Sequence, residues 1–483
     1  MLKKLLFIIK REGGLLGFLQ YVALRLHLKK KIMRVLISPI AIPIALMIAL
    51  IEPWIRIRII LLFSNRIGHY PYNTDLLLYV LKRSLDAKDQ KSTVWFYTVP
   101  GAPICNEQLH LMWMRTIIIL PFPYIVAEID RYLLSFSSWY RNDPIKKFFM
   151  QSGYSWDAWN LISQTHESHL VFTEEEKKRG QMLLEAMGIP HDAKWVCIHG
   201  RDSRYLSIYM PHQDFSYTNY RNVDINHYAK AALYLAEKGY YVLRMGKHVQ
   251  DKFNVNHPRV IDYANSPFLS DFADIYLSAY CFFFVSVGSG LDSVAQIFRR
   301  PILQTNITLV DPDFHPDWHL LITKKMRRIK DGKYLSLRNV ADEFPWEKCN
   351  KARAILQIAE EKWIESIENT PDEILAVVKE MLARLTGTYQ IKEEDEALQQ
   401  ELWQSFKEPG MRMYSASPPP IDLPLLKTPV FEGQNIDLNR KISHVRLRMG
   451  ADFLKDNQSW LIDSHNQQIS LFHHIPLTEG AHI

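Results

Sequence analysis

Four short stretches of this 483-residue sequence set polar or very small residues directly behind an apolar run, where a strand would end and a turn begin. The first is Arg66-Ile67-Gly68-His69, behind IILLF. Its glycine permits a tight turn before a helix start, a place that favours negative charge. His69 could take a proton from a hydroxyl, because imidazole titrates near neutral pH, or it could only steady the turn; both readings stand. The second is His199-Gly200-Arg201-Asp202-Ser203-Arg204. Guanidinium forks just past a strand suit a diphosphate held bidentately. Arg201 reads as the ligand, Asp202 as a carboxylate that neutralises an arginine, and Arg204 as a further candidate. The third is Arg244 in LRMG, which needs either an anion or solvent. A phosphate and a structural carboxylate would serve it equally. The fourth is Ser286-Val287-Gly288-Ser289-Gly290, whose small residues would let backbone N–H groups approach a phosphate at a helix start. Strand-to-helix turns often need small residues in any case, so this run gains weight only from its position opposite the Arg244 strand end.

Other chemistries lack their residues. There is no GxxxxGK[ST] loop, HExxH pair, kinase set or GxSxG elbow. His212, His227 and His248 have no ligand spacing, and Asp311-Pro312-Asp313 has a metal-diphosphate spacing but follows the last expected core strand. No metal site is expected. Cys105, Cys197, Cys281 and Cys349 are far apart, which points to a reducing cytoplasm rather than a disulfide scaffold.

The elements that must position these loops follow from periodicity. Ile59–Phe63, Thr93–Val99 and Thr116–Leu120 read as strands of a first lobe. Thr173-Glu174-Glu175-Glu176 is a capping box that opens a helix ending near Gly188. Beyond it strands and helices alternate: WVCIH, a helix over about 225–238, YYVLRMG, RVIDY, CFFFVSVG, LDSVAQIF and PILQTN, which completes the run. Strands spaced by helices mean a parallel sheet covered on both faces. Thr370-Pro371-Asp372-Glu373 caps another helix, closed by Gly387. The expected fold is α/β with two Rossmann-like lobes. Residues 58–172 form the first and 173–390 the second; 391–483 are a helical and irregular extension wrapping the core.

Residues 1–57 stand apart. The first 34 hold nine lysines and arginines against Glu12, and Val35–Ile51 carries no charge. Such a segment suits an anionic membrane surface. Seventeen apolar residues are marginal for a crossing, and Pro39 and Pro43 should interrupt a straight helix, so an in-plane, amphipathic or re-entrant anchor is expected. Nucleic acid is not expected, since no basic stripe with interleaved aromatics follows.

NRIGHYPYNTDLLL, CIHGRDSRYL, SYTNYRNVDINHY with YYVLRMG, FVSVGSGLDSVAQIFRRPILQTN, ENTPDEI with EMLARL, and MGADFLKDNQSWL together resemble a family of bacterial glycosyltransferases found with surface-polysaccharide genes. The match runs in order from about residue 55 to 462. It implies a GT-B enzyme moving sugar from a nucleotide-sugar donor to a glycan or lipid-linked acceptor; the N-terminal anchor segment places the expected enzyme on the cytoplasmic side of the inner membrane, peripheral or monotopic. No separate cofactor and no metal are implied. More distantly the second lobe is similar to the donor lobe of O-fucosyltransferase-like and heptosyltransferase-like enzymes. In that likeness Arg201 matches the arginine that holds the donor diphosphate, and Ser289 falls in the small-residue loop beside it. His69 stands where the heptosyltransferase-like enzymes place an acidic base, and Gly200 replaces a bulkier residue. Tyr220 and Arg221, inside the SYTNYRNVDINHY motif, join the candidates. A nucleotide-sugar-modifying enzyme on the same scaffold, or a non-catalytic scaffold of a polysaccharide assembly, are the alternatives.

Overall fold

The computed structural model describes residues 28–84, 92–143, 145–147, 167–209, 211, 213–308, 320–344, 352–405 and 448–461. The basic run before residue 28, His212, Asp311–Asp313, Cys349 and most of the extension after residue 405 lie outside the described residues. The chain divides into two compact units: Met1–Arg66, Val80–Cys105 and Trp113–Tyr154 in one, Ile67–Tyr79, Asn106–Met112 and Ser155–Ile483 in the other.

The first unit opens with helix α1 (Leu28–Ile51). It runs through Pro39 and Pro43 rather than breaking there. Each proline removes a hydrogen bond, at a cost of about 3 kcal/mol. Burial offsets this: Ile37, Ala41, Ala45 and Ile48 are covered in a cluster with Val126, Ile129 and Leu133 of helix Pro123–Phe136. Strands β1 (Arg56–Leu61) and β2 (Ser92–Tyr97) pair in parallel, Arg56 opposite Ser92 and Leu61 opposite Tyr97. The expected strand at Thr116–Leu120 shrinks to one bridge, Ile119 to Phe96. Helix Glu107–Thr116 takes its first residue and Pro121 follows at once, so only a short extended stretch remains to pair.

The second unit is built on an all-parallel sheet. Its strands are β3 (Trp195–Ile198), β4 (Tyr241–Arg244), β5 (Val260–Ile261), β6 (Phe283–Ser286), β7 (Ile302–Ile307) and β8 (Leu320–Thr323). Separately, β9 (Lys325–Arg328) pairs antiparallel with β10 (Ile364–Ile367), and β11 (Arg448–Met449) joins the main sheet, whose order is β11-β8-β7-β6-β3-β4-β5. The near-continuous apolar runs have this cause: β3, β6 and β7 are buried along their whole length, as parallel strands covered on both faces must be. Polar Thr305 and Asn306 are tolerated inside β7 because they are bonded. Thr305 Oγ1 meets the Tyr228 hydroxyl at 2.6 Å, and Asn306 and Asn369 exchange backbone-to-amide bonds of 2.6 and 2.7 Å. The run does not end at PILQTN as expected. β8 follows it, and β11, from the C-terminal extension, pairs outside β8.

The α/β class with a parallel sheet is the fold of this chain. Both capping boxes form, at Thr173 with Glu176 and at Thr370 with Glu373. Cys105, Cys197 and Cys281 are buried and form no disulfide with one another.

Candidate functional site

Strand order picks out one place on the sheet. From β3 the chain adds β4 and β5 on one side, then returns to place β6, β7 and β8 on the other. Parallel sheets bind ligands beyond the carboxyl ends of strands at such a switch, here between β3 and β6. The loops after these strands start in step: the His199 N–H donates to Val285 O at 2.9 Å and the Met245 N–H to Ile198 O at 2.8 Å. Three of the four chemistry-bearing stretches thus end on one edge. His199 bridges the switch itself, its Nδ1 2.6 Å from Ser289 Oγ. Burial, then the Arg244 and Arg201 charges, push this imidazole down to about 3, so it is neutral and one ring nitrogen accepts while the other donates.

Cations converge beside the bridge. Arg201 donates to Thr218 O at 3.1 Å, to Thr218 Oγ1 at 2.7 Å and to Asn222 Oδ1. Arg221 donates to the Gly288 carbonyl. Lys324, directly after β8, donates to Tyr220 O at 3.0 Å and Asn222 O at 2.8 Å, and is only 3% exposed. Among the described residues no carboxylate forms an ion pair with any of the three. Burial and then Arg221 lower Arg201 to about 10. Asp202 and Glu368 offset part of the repulsion without pairing directly; like charges drawn together in this way hold repulsion that a polyvalent anion would relieve.

The small-residue run fits this picture by shape. Gly288 has φ 64, and a Cβ there would lie 2.9 Å from Ile307 Cδ1. A Cβ on Gly290 would lie 2.8 Å from the Gly68 nitrogen, and one on Gly68 would lie 2.9 Å from the Gly290 Cα. Two backbones therefore touch, which only paired glycines allow. That contact brings Gly68 and His69 of the remaining stretch to the same edge: His69, next to Gly68, opens helix His69–Ser84. Residues 67–79, expected in the first lobe, cluster with the second unit for this reason and one more. Asp75, fully buried in that helix, bonds His169 Nδ1 at 2.7 Å and the Arg299 guanidinium at 3.0 Å, and Arg299 also bonds the Tyr79 hydroxyl at 2.6 Å.

Several candidates are turned to structural work. Arg244 is 1% exposed and pairs with Asp262 at 3.2 Å and the Asp251 carbonyl at 3.0 Å, so its charge is met by a carboxylate rather than left for a phosphate. Asp202 accepts from Arg204 N at 2.8 Å and Gln250 N at 2.9 Å, tying the loops after β3 and β4, and its charge acts on Arg201 and Arg244 without a direct ion pair. Ser286 donates to Asp292 at 2.7 Å, which sets a carboxylate in the first turn of helix Asp292–Ile297 where a phosphate was expected. Val287 is core, and Arg204 is exposed. Tyr220 contributes its carbonyl to Lys324. A Cβ on Gly200 would lie 3.1 Å from the side chains of both Val223 and Ile225, so a larger residue there would have to push them aside. Arg66 belongs to the first unit, at the turn after β1. Among the described residues no three His, Cys, Asp or Glu side chains gather as a metal site.

Sequence reasoning missed Lys324 and His199. Lys324 stands in ITKKM, which reads as surface basic sequence until β8 is seen to end there. Burial, partly opposed by Glu368, and the Arg201 charge bring Lys324 down to about 8. An anion binds its protonated form, so affinity for a nucleoside diphosphate is expected to be flat from about pH 7 to 8, where the ligand is fully ionised, and to fall by up to about tenfold per pH unit above it. Lys324→Met should bind more weakly and lose that inflection in calorimetric titrations at constant ionic strength. An unchanged inflection in the variant would remove Lys324 from the site.

No family model matches the chain, and no curated protein matches it. Among solved structures it is similar to a glycosyltransferase family 9 protein from Veillonella parvula (TM-score 0.35, 11% identity, 55% of this chain and 85% of that one). It is also similar to the E. coli ADP-heptose lipopolysaccharide heptosyltransferase II (TM-score 0.31, 14% identity, 63% and 98%). A third is the iron-containing dodecameric glycosyltransferase TibC of enterotoxigenic E. coli (TM-score 0.29, 16% identity, 55% and 63%). These structural neighbours are all glycosyltransferases.

Proposed function

We propose that this chain is a glycosyltransferase that moves a sugar from a nucleoside-diphosphate donor to a hydroxyl of a glycan or lipid-linked acceptor. The observation that carries the reading is the convergence of Arg201, Arg221 and Lys324 at the β3/β6 switch with no carboxylate paired to them among the described residues. In the reaction an acceptor oxygen bonds the anomeric carbon while the bond from that carbon to the diphosphate oxygen breaks. The diphosphate leaves with the electron pair. Arg201, Arg221 and Lys324 would meet the charge that develops on it, the task for which preorganised cations are most effective. His69, at the helix start beside the Gly68–Gly290 contact, would take the proton from the acceptor hydroxyl.

A thermal-shift screen of UDP, GDP, ADP, CMP and their sugars, ADP-heptose included, tests the reading. A true ligand at a hundredfold excess over its Kd should stabilise by about 2.7 kcal/mol. No response to any of them sinks it.

The same proposal sets the protein on the cytoplasmic face of the inner membrane with α1 lying in the membrane plane. Ile32–Ile51 is long and apolar enough to cross a bilayer. One of its faces exposes Val35, Leu36, Ile40, Met47 and Leu50, while the other is packed on helix Pro123–Phe136. That partner carries Glu128, bonded by Arg34 at 3.1 Å and Arg131 at 2.6 Å, and Tyr132, bonded by Ser38 at 2.7 Å. A crossing would take this charged helix into hydrocarbon, at several kcal/mol per ion. The protein should float with anionic vesicles, and the Leu36→Glu, Met47→Glu double variant should not. Cysteines placed at Val35 and Trp54 should be labelled from the same side of sealed vesicles; labelling from opposite sides would show a crossing.

A further inference from the structure

Three aromatic rings gather at the carboxyl ends of β3 and β4, next along the edge from the cations. Tyr205 and Tyr209, one turn apart on helix Arg204–Tyr209, stack with centroids 4.5 Å apart and planes 28° apart. The exposed His248 ring lies 5.7 Å from Tyr209 on the loop after β4. The group is held in place. Lys247 Nζ sits 5.9 Å from the Tyr209 ring centroid and bonds Asp271 at 3.0 Å, and the other Asp271 oxygen accepts the Glu107 N–H at 2.8 Å. Asp202 ties the two ring-bearing loops through Arg204 N and Gln250 N. His248 has φ 57, a left-handed conformation that a residue with a Cβ adopts at a cost and that persists where the surroundings impose it.

We propose that Tyr205, Tyr209 and His248 form the platform on which the nucleobase of the donor stacks. This rests on the diphosphate reading above, because that reading sets where the base must go. With the diphosphate at the β3/β6 switch, the ribose and base can extend along the edge over β3 and β4, whose loops carry these rings. Every nucleobase has a flat π-face, and aromatic rings that are half-exposed yet positioned offer it a surface at little ordering cost.

The test compares inorganic pyrophosphate with UDP and ADP by titration calorimetry on the whole chain. The intact protein should bind the nucleoside diphosphates more tightly than pyrophosphate by roughly 5- to 150-fold, the range for one stacked base. Tyr209→Leu should close most of that gap while leaving pyrophosphate affinity within about twofold. His248→Asn is the second variant, since asparagine tolerates the left-handed backbone while removing the ring; it should narrow the gap with unchanged melting. If Tyr209→Leu lowers the melting temperature but leaves the gap intact, the rings only brace a short helix and the proposal falls. If both variants weaken pyrophosphate and nucleotide equally, the rings act on the anion site and the proposal falls again. Failure of the intact protein to bind either probe would overturn the diphosphate reading itself, a result distinct from an unchanged gap.

Discussion

Arg201→Ala is expected to weaken nucleoside-diphosphate binding by about 1.5–3 kcal/mol and to cut donor turnover by roughly 10²- to 10³-fold, with little change in the melting of the unliganded protein. The guanidinium is held by neutral partners. Thr218 O, Thr218 Oγ1 and Asn222 Oδ1 orient it, yet none of them carries charge. Its removal therefore loses neutral hydrogen bonds but relieves repulsion from Arg221 and the press of charge on Lys324. The two effects oppose each other in the empty protein and add only when an anion is present. Functional sites characteristically trade stability for binding in this way. Arg201→Lys should restore little, because an ammonium cannot keep both Thr218 contacts and face a diphosphate with a planar fork. One coupled result should appear as well: with the Arg201 charge gone, the pH inflection from Lys324 should move upward from about 8. A variant that melts several degrees lower while binding UDP or ADP normally would show Arg201 to be structural.

Asp75→Ala should have the largest effect on stability, about 3–5 kcal/mol in denaturant unfolding. The carboxylate is fully buried and is shared by Arg299 and His169, so its loss strips a buried guanidinium of its counter-charge. Arg299 is further constrained by a φ of 58. Asp75→Asn keeps the volume and one acceptor and should cost less. The change should also reach the site. Asp75 anchors the helix that His69 opens, and the Gly68–Gly290 contact lies at the same end. Donor affinity should therefore fall together with stability in both variants. An Asp75→Ala protein within about 1 kcal/mol of the parent would show that the network is not holding the helix.

Helix α1 shows where local rules mislead. Pro39 and Pro43 argue for a broken helix when only the chain around them is considered. The burial that overrides them comes from helix Pro123–Phe136, some eighty residues on, and no periodicity in Val35–Ile51 announces that partner. Arg244 and Arg201 make the same point with opposite outcomes. Each follows an apolar strand and each was a fair phosphate ligand, but Asp262 meets one and amides and hydroxyls meet the other.

Alternation of apolar runs with helical stretches was enough to establish the parallel α/β sheet, because the two-residue and 3.6-residue periods are properties of neighbouring residues. The same locality made the capping boxes at Thr173 and Thr370 and the loops after β3, β4 and β6 legible. Strand order is not local. It alone placed the switch between β3 and β6, carried Lys324, directly after β8, to the Arg201 and Arg221 side of it, and let β11 close the sheet from the C-terminal extension. Whether a buried charge finds a carboxylate depends on which distant strands become neighbours, and that is decided by the packing of the whole chain rather than by any window of its sequence.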